Sequence, residues 1–210
     1  VNRNIAERLL GQSTFDCIRF VVAENPQIAA LHLREYNYVP NQPPTADETD
    51  KPISRGDFLN GDTVDQVINT LTDPGANLSV SSRITLTSGK PAHLAMMDLA
   101  PRKSPEALAK VMTRLTDIVV PQFGGGIIFE TNKSYHFLGF EPLSEENWLN
   151  FLGLNLITSI VTYVGEDQPR THEVIADYRY IGHSLLRRST GLRITTRGTK
   201  TFSPIAVALI

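Results

Sequence analysis

Two hydrophobic periods alternate along the second half of the chain. Leu78 to Thr87 carries the β-branched mixture of a strand, Ser88-Gly89-Lys90-Pro91 reads as a turn, and Ala92 to Leu99 is again strand-like. Together they predict an antiparallel hairpin. Ser104 then stands before Pro105, a capping residue followed by a proline suited to the first helical position. Leu108, Val111, Met112, Leu115, Ile118 and Val119 follow at helical spacing, so a helix is predicted over Pro105–Val119, ended by Pro121 and Gly124-Gly125-Gly126. The three glycines suit a tight helix-to-strand turn. Ile127–Glu130 and Tyr135–Phe140, around the polar Thr131-Asn132-Lys133, form a second hairpin. Ser144 caps a further helix through Trp148, Leu149, Phe151 and Leu152. A strand is expected over Ile157–Val164, a helix from about Asp177 to Arg188, and a last strand over Leu192–Thr196.

The first 75 residues are harder to read. Asn4–Leu10 suggests a short helix, Phe15–Glu24 and Ala29–Val39 suggest strands, and Val64–Leu71 suggests a helix. The proline-rich, acidic stretch from Pro40 to Pro52 keeps no apolar period and reads as a loop. Strands and helices mix without strict βαβ alternation, which predicts an α+β fold with a mixed, largely antiparallel sheet and packed helices. The expected division is 1–75 as an α/β portion packed on the core and 76–210 as the chemistry-bearing portion, the two forming one unit that could belong to a longer chain.

Bulk properties narrow the picture. With 210 residues, 41% of them apolar and a net charge of −2, the chain can build a core and has no global basic signature. Cys17 is the single cysteine, so neither an internal disulfide nor a cysteine-rich zinc site is available, and it reads as a buried thiol. No apolar run approaches the roughly 20 residues of a membrane span, and no leader pattern is visible, so a cytoplasmic protein is expected. The chain begins at Val1, as if an initiator Met were absent or removed. Its apolar end, Pro204 to Ile210, suggests either a tucked-in strand or the cut edge of a longer protein.

Familiar motifs fail on inspection. Thr87-Ser88-Gly89-Lys90 lacks the upstream glycine and the following helix of a phosphate loop, and neither a His-Glu-x-x-His nor a Gly-x-Ser-x-Gly pattern occurs. Three features carry candidate chemistry. Asp98 ends the apolar run Leu94-Ala95-Met96-Met97, where a carboxylate gains a rigid support, although a turn aspartate before Pro101 would look the same. Ser134 and His136, two apart on a strand, point to one face and could hold phosphate oxygens together; a turn serine and a surface histidine are the plain alternative. Asp177 follows Val174-Ile175-Ala176 and suits a metal ligand or a helix N-cap. Around and beyond it, Arg170, Arg179, Arg187, Arg188, Arg193, Arg197 and Lys200 outnumber Glu173 and Asp177, a pattern suited to a polyanionic partner. Arg193, between Leu192 and Ile194, should leave its strand toward solvent or a cleft.

The order of these features resembles the archaeo-eukaryotic primase superfamily, including the primase-polymerases. Met97-Asp98-Leu99-Ala100 stands where that family has Asp-x-Asp, Ser134-Tyr135-His136 matches its Ser-x-His, and Ala176-Asp177 matches its later apolar-Asp motif. The resemblance implies an RRM-like catalytic half beside an N-terminal α/β layer. It also implies Mg²⁺ or Mn²⁺ on Asp98 and Asp177, as catalytic and metal-binding residues. Ser134, His136, Arg193 and Lys200 would bind the triphosphate of a nucleoside triphosphate, and DNA or RNA would be the partner of a primase-like nucleotidyltransferase. Ala100 departs from the pattern by removing the second carboxylate. Three outcomes follow: one protein-held metal suffices, Glu130 or Glu141 substitutes, or the domain only binds nucleotide or nucleic acid. An unrelated small-molecule enzyme or binding domain of α+β class remains a separate alternative.

Overall fold

The structure is a computed structural model that describes residues 7–36, 50–69, 76–158, 160–162, 171–196 and 202–210. After a short 3₁₀ turn at Glu7–Leu9 come α1 (Thr14–Glu24), β1 (Ile28–Tyr36), β2 (Asp50–Ser54), α2 (Arg55–Leu59) and α3 (Gly61–Asn69). Strands β3 (Asn77–Leu86) and β4 (Pro91–Leu99) follow, then α4 (Pro105–Arg114), a π-helical turn at Leu115–Val119 and α5 (Val120–Phe123). The remainder is β5 (Gly126–Glu130), β6 (Tyr135–Leu143), α6 (Glu145–Ile157), β7 (Ile160–Thr162), β8 (Thr171–Glu173), α7 (Tyr178–Arg187), β9 (Gly191–Arg193) and β10 (Ile205–Leu209).

Eight strands form one sheet in the order β10-β5-β6-β4-β3-β1-β2, with β9 added beside β3, and every pairing is antiparallel. Strands β7 and β8 pair separately. The α+β expectation holds. One face of the sheet packs Cys17, Ile18 and Val21 of α1, Phe58 of α2 and Val64 of α3 against Leu33, Val80, Met96 and Leu138. The other packs Val111, Leu115, Trp148, Phe151 and Ile181 against Met97, Leu99 and Phe137. Alternation along β4 sends Met96 to the first core and Met97 to the second, as a sheet covered on both faces requires.

The β3–β4 hairpin splays. Only Arg83–Thr85 pair with His93–Pro91; beyond them β3 turns to β9 through Ser79–Ser81, while β4 runs on against β6. Residues 174–177 fill the wedge. Ala100 N–H donates to the Ile175 carbonyl at 2.8 Å and Asp177 N–H to the Asp98 carbonyl at 2.9 Å, around a Leu99–Ala176 bridge. This departure from a regular sheet brings two sequence-distant aspartates side by side.

Several expectations need correction. Phe15–Glu24 is a helix. Its β-branched and aromatic content suggested a strand, but Ser13 accepts from Asp16 N–H while its hydroxyl donates to the Asp16 carboxylate at 2.6 Å, a reciprocal cap. Thr14, Cys17, Ile18, Val21 and Val22 are buried at helical spacing. The helix starting at Pro105 does not stop at Val119 or Pro121. Proline has no N–H to donate, and the chain passes it by widening one turn, with Val120 N–H reaching back to the Leu115 carbonyl, before Gly124 at φ 76° ends it. Helix α6 runs through Ile157, where the pattern predicts a strand, and the strand there covers Ile160–Thr162. Strand β9 is shorter than Leu192–Thr196, and the expected Asn4–Leu10 helix is a 3₁₀ turn where described. Cys17 is fully buried, and the apolar chain end forms β10 on the sheet edge. Gly125 and Gly126 lie so close to the Ile210 carbonyl and the Phe137 ring that neither position has room for a Cβ.

Candidate functional site

Asp98 is the last polar residue of β4 before the strand leaves the sheet. His136 of β6 lies directly opposite it in register, and residues facing each other across an antiparallel pair share a face. The His136 Nε2 is 3.7 Å from Asp98 Oδ1, with the two side chains 15% and 32% exposed. On the other flank the Asp177 N–H to Asp98 carbonyl bond sets the two aspartates opposite one another, with Cα atoms roughly 5.5 Å apart by antiparallel geometry. Three segments distant in sequence thus deliver a carboxylate, an imidazole and a second carboxylate to one edge of one face.

Asp177 is also the N-cap of α7. Its Oδ1 accepts from Arg179 N–H at 2.9 Å and Tyr180 N–H at 3.3 Å, and its Oδ2 is 3.6 Å from Arg179 Nη2. Cap and site residue are compatible because the carboxylate has two oxygens. Ser134 sits in the β5–β6 turn, its Oγ 3.3 Å from Thr131 Oγ1 and its N–H bonded to the same threonine hydroxyl at 3.0 Å. The turn is therefore held by its own polar residues just before the His136 strand.

Arg193 does not stand out into solvent. It is 8% exposed, and its guanidinium donates to the Thr195 carbonyl and, at 2.9 Å, to the Phe202 carbonyl. Burial lowers its pKa from the ordinary arginine range. Lys200, with Arg170 and Arg197, lies outside the described residues. The two substitute acids do not join the site. Glu141 is five residues beyond His136 on β6, about 17 Å along the strand. Glu130 faces away from His136, because its neighbour Phe129 is the residue that pairs with it, and Glu130 is bound to Lys103 at 3.1 Å.

One neighbour was not legible from motifs. Tyr180 donates its hydroxyl to the Gly191 carbonyl at 2.9 Å and accepts from the Gly191 N–H at 3.0 Å, clamping α7 to β9. Burial pushes its phenol well above the ordinary tyrosine range, and the nearby Asp98 carboxylate adds to the rise. The available signal was positional: Tyr180 lies three residues after Asp177, the capping distance.

Among the described residues no group of three or more His, Cys, Asp or Glu side chains is placed to hold a metal ion. The donor set is two opposed carboxylates, one of whose oxygens is already capping a helix. Hard oxygen donors of this number suit one Mg²⁺ or Mn²⁺ that keeps waters or takes phosphate oxygens. They do not supply the ligands of a protein-held metal pair.

The chain is a primase-polymerase-like domain. A family model described as AEP-like, archaeo-eukaryotic primase 1D-like, matches residues 57–203, well over half of the chain, and the chain belongs to that family. Among solved structures, the polymerase domain of Mycobacterium tuberculosis ligase D in complex with DNA aligns with a TM-score of 0.45 and 16% identity, over 92% of this chain and 78% of that one. No curated protein sequence matches the chain.

Proposed function

We propose that this domain binds a nucleoside triphosphate with a divalent metal at the Asp98–Asp177 edge and transfers its nucleotidyl group during template-directed DNA or RNA synthesis. The observation that carries this reading is the convergence of Asp98, His136 and Asp177 on one strand-edge face, in a chain of the primase family. Asp98 and the Oδ2 of Asp177, now shared with the exposed Arg179 side chain, would hold Mg²⁺ or Mn²⁺, which when bound neutralises phosphate charge. His136, oriented beside the Asp98 carboxylate, would donate to a phosphate oxygen, with the Ser134 hydroxyl beside it. Arg193 uses two of its five N–H donors on backbone carbonyls; its remaining donors and its charge would serve the triphosphate side. Lys200 would add a second cation there.

Incorporation of labelled triphosphate on a primed template with Mn²⁺ tests the reading. Asp98→Asn and Asp177→Asn are the variants of choice, because asparagine caps a helix as well as aspartate and removes only the charge. Each should lower incorporation by at least about a hundredfold, roughly 2.7 kcal/mol of barrier, with little change in melting temperature. Wild-type-like incorporation by either variant would refute the assignment.

A second reading is favoured by Ala100, which leaves two carboxylates where the family pattern has three. The domain would then bind nucleotide or nucleic acid within a larger assembly without transferring anything. Triphosphate binding without incorporation by the wild type selects this reading.

A further inference from the structure

Seven large apolar side chains stand exposed among the described residues, and six of them lie on two helices. Helix α6 presents Leu149, Leu156 and Ile157, and α7 presents Tyr178, Leu185 and Leu186. Both helices are already anchored by their other face. Trp148, Phe151 and Leu152 of α6 and Ile181 of α7 point into the second core, over one side of the sheet. On each helix the outward residues recur after seven or eight positions, two helical turns, and so form one stripe. Single exposed apolar residues are ordinary, but two such stripes on one side of a molecule mark a contact surface. Each stripe also has a glycine at its middle. Gly153 lies four positions from both Leu149 and Ile157, and Gly182 four positions from both Tyr178 and Leu186. A Cβ at either glycine would meet nothing within 4 Å. The protomer therefore has no steric need for them, although glycine weakens a helix interior.

Charge decides which stripe meets which. The ionised side chains of α6 are Glu145 and Glu146, both exposed in its first turn, and the helix carries no cation. Those of α7 are Arg179 and Arg187, with the exposed Arg188 as its C-cap, and the helix carries no acid. When α7 of one copy lies antiparallel on α6 of another, Leu185 and Leu186 meet Leu149, and Tyr178 meets Leu156 and Ile157. Arg188 then falls beside Glu145 and Glu146. The apolar spans of the two helices agree, at about 11 Å each, and the antiparallel order suits the helix dipoles. Two copies of α6 bring no opposite charges together, and two antiparallel copies of α7 set Arg179 against Arg188.

We propose that this face is a self-association surface, on which two copies of the chain dimerise with α6 of each laid antiparallel on α7 of the other. The contact is made twice and closes as a two-fold dimer, so both stripes of both copies are covered. The glycines at the middle of each stripe let the helices approach closely there. The proposal does not rest on the nucleotide reading. Asp98 and His136 alternate along their strands with Met97 and Phe137 of the second core, so their side chains project to the opposite side of the sheet.

The test is sedimentation velocity of the purified chain over a concentration series, in which the wild type should be dimeric. Glu146→Lys and Arg188→Glu should each weaken dimerisation by about tenfold or more, because each sets like charges together twice per dimer. An equimolar mixture of these two variants should return to within about threefold of the wild type, since in the mixed dimer both ionic contacts are again of opposite sign. Misfolding of either variant cannot produce that recovery. Gly182→Gln is the steric probe. It should melt no lower than the wild type, because glutamine favours a helix more than glycine does, yet dimerise about tenfold or more weakly. A wild type that stays monomeric up to about 100 micromolar would overturn the proposal. So would charge variants that dimerise like the wild type, a mixture no tighter than its components, or undiminished dimerisation of Gly182→Gln.

Discussion

Ala100 is the residue on which the proposed activity turns. It stands two positions after Asp98 at the strand exit, so a side chain placed there points to the same side as Asp98. It is exposed, and its backbone N–H donates to the Ile175 carbonyl. Ala100→Asp should therefore add a third carboxylate oxygen donor without disturbing the core. We expect Mn²⁺ affinity to rise by about tenfold, measured by calorimetric titration, with incorporation rising in parallel if transfer is limited by metal. His93 supplies a second prediction at this scale. It is 3% exposed, stacks on Trp148 at 4.3 Å and faces the Ser82 hydroxyl at 3.1 Å. Burial, helped by Arg83, lowers its pKa to about 4 from 6.5. The unfolded chain takes up a proton below about 6.5 that the folded chain refuses until about 4, so stability is complete above that window and falls as pH drops through it. The loss amounts to about 3 kcal/mol. His93→Phe keeps an aromatic stack on Trp148 and should flatten this part of the dependence, as read from urea midpoints between pH 4 and 7.

Serines start many of the helices. Ser13, Ser54, Ser104 and Ser144 each accept from the N–H three residues on, at 3.2, 3.1, 3.1 and 3.2 Å. The cap decides most at α1, whose internal composition favours a strand. Ser13→Ala should cost about 1 kcal/mol in urea denaturation of the domain. This is also where the limits of pattern reading are clearest. The hairpins and the helices beginning at Pro105, Glu145 and Tyr178 were legible because cap, period and turn residue agreed. Helix α1 was not, because propensity and cap disagreed and packing against Leu33 and Val80 settled the matter in favour of the cap. The glycines before β5 signal a turn; their second role, letting the chain end and the Phe137 ring approach the backbone, involves residues far away in sequence.

At the scale of the whole molecule, a buried ion pair joins segments that local pattern cannot connect. Arg34 of β1 grips Asp50 of β2 through two hydrogen bonds of 2.6 and 3.0 Å, and also donates to Ser189 after α7 at 2.6 Å, across 155 positions. Arg34 is 7% exposed, so losing its partner leaves a buried charge with little water to compensate. Asp50→Ala should destabilise the domain by about 2–3 kcal/mol, somewhat below the full cost of breaking a fully buried pair, because Asp50 keeps partial access to solvent. Denaturation monitored separately by Trp148 fluorescence and far-ultraviolet dichroism should remain a single coincident transition if the sheet acts as one unit.

The sequence by itself determined the α+β class, both hairpins, most helix starts, the burial of Cys17 and the identity of Asp98, Ser134, His136 and Asp177 as the residues worth attention. Each rests on information within a few positions: alternation, a cap, a turn, a carboxylate at a strand end. Tertiary structure decided that Asp98, His136 and Asp177 meet, that Glu130 and Glu141 stay apart from them, and that Arg193 is spent partly on backbone carbonyls. It also placed Tyr180 near Asp98. The physical reason is the splay between β3 and β4, which opens a wedge that residues 174–177 fill by backbone hydrogen bonds. Such bonds are made by groups every residue carries, so no pattern of side chains announces them.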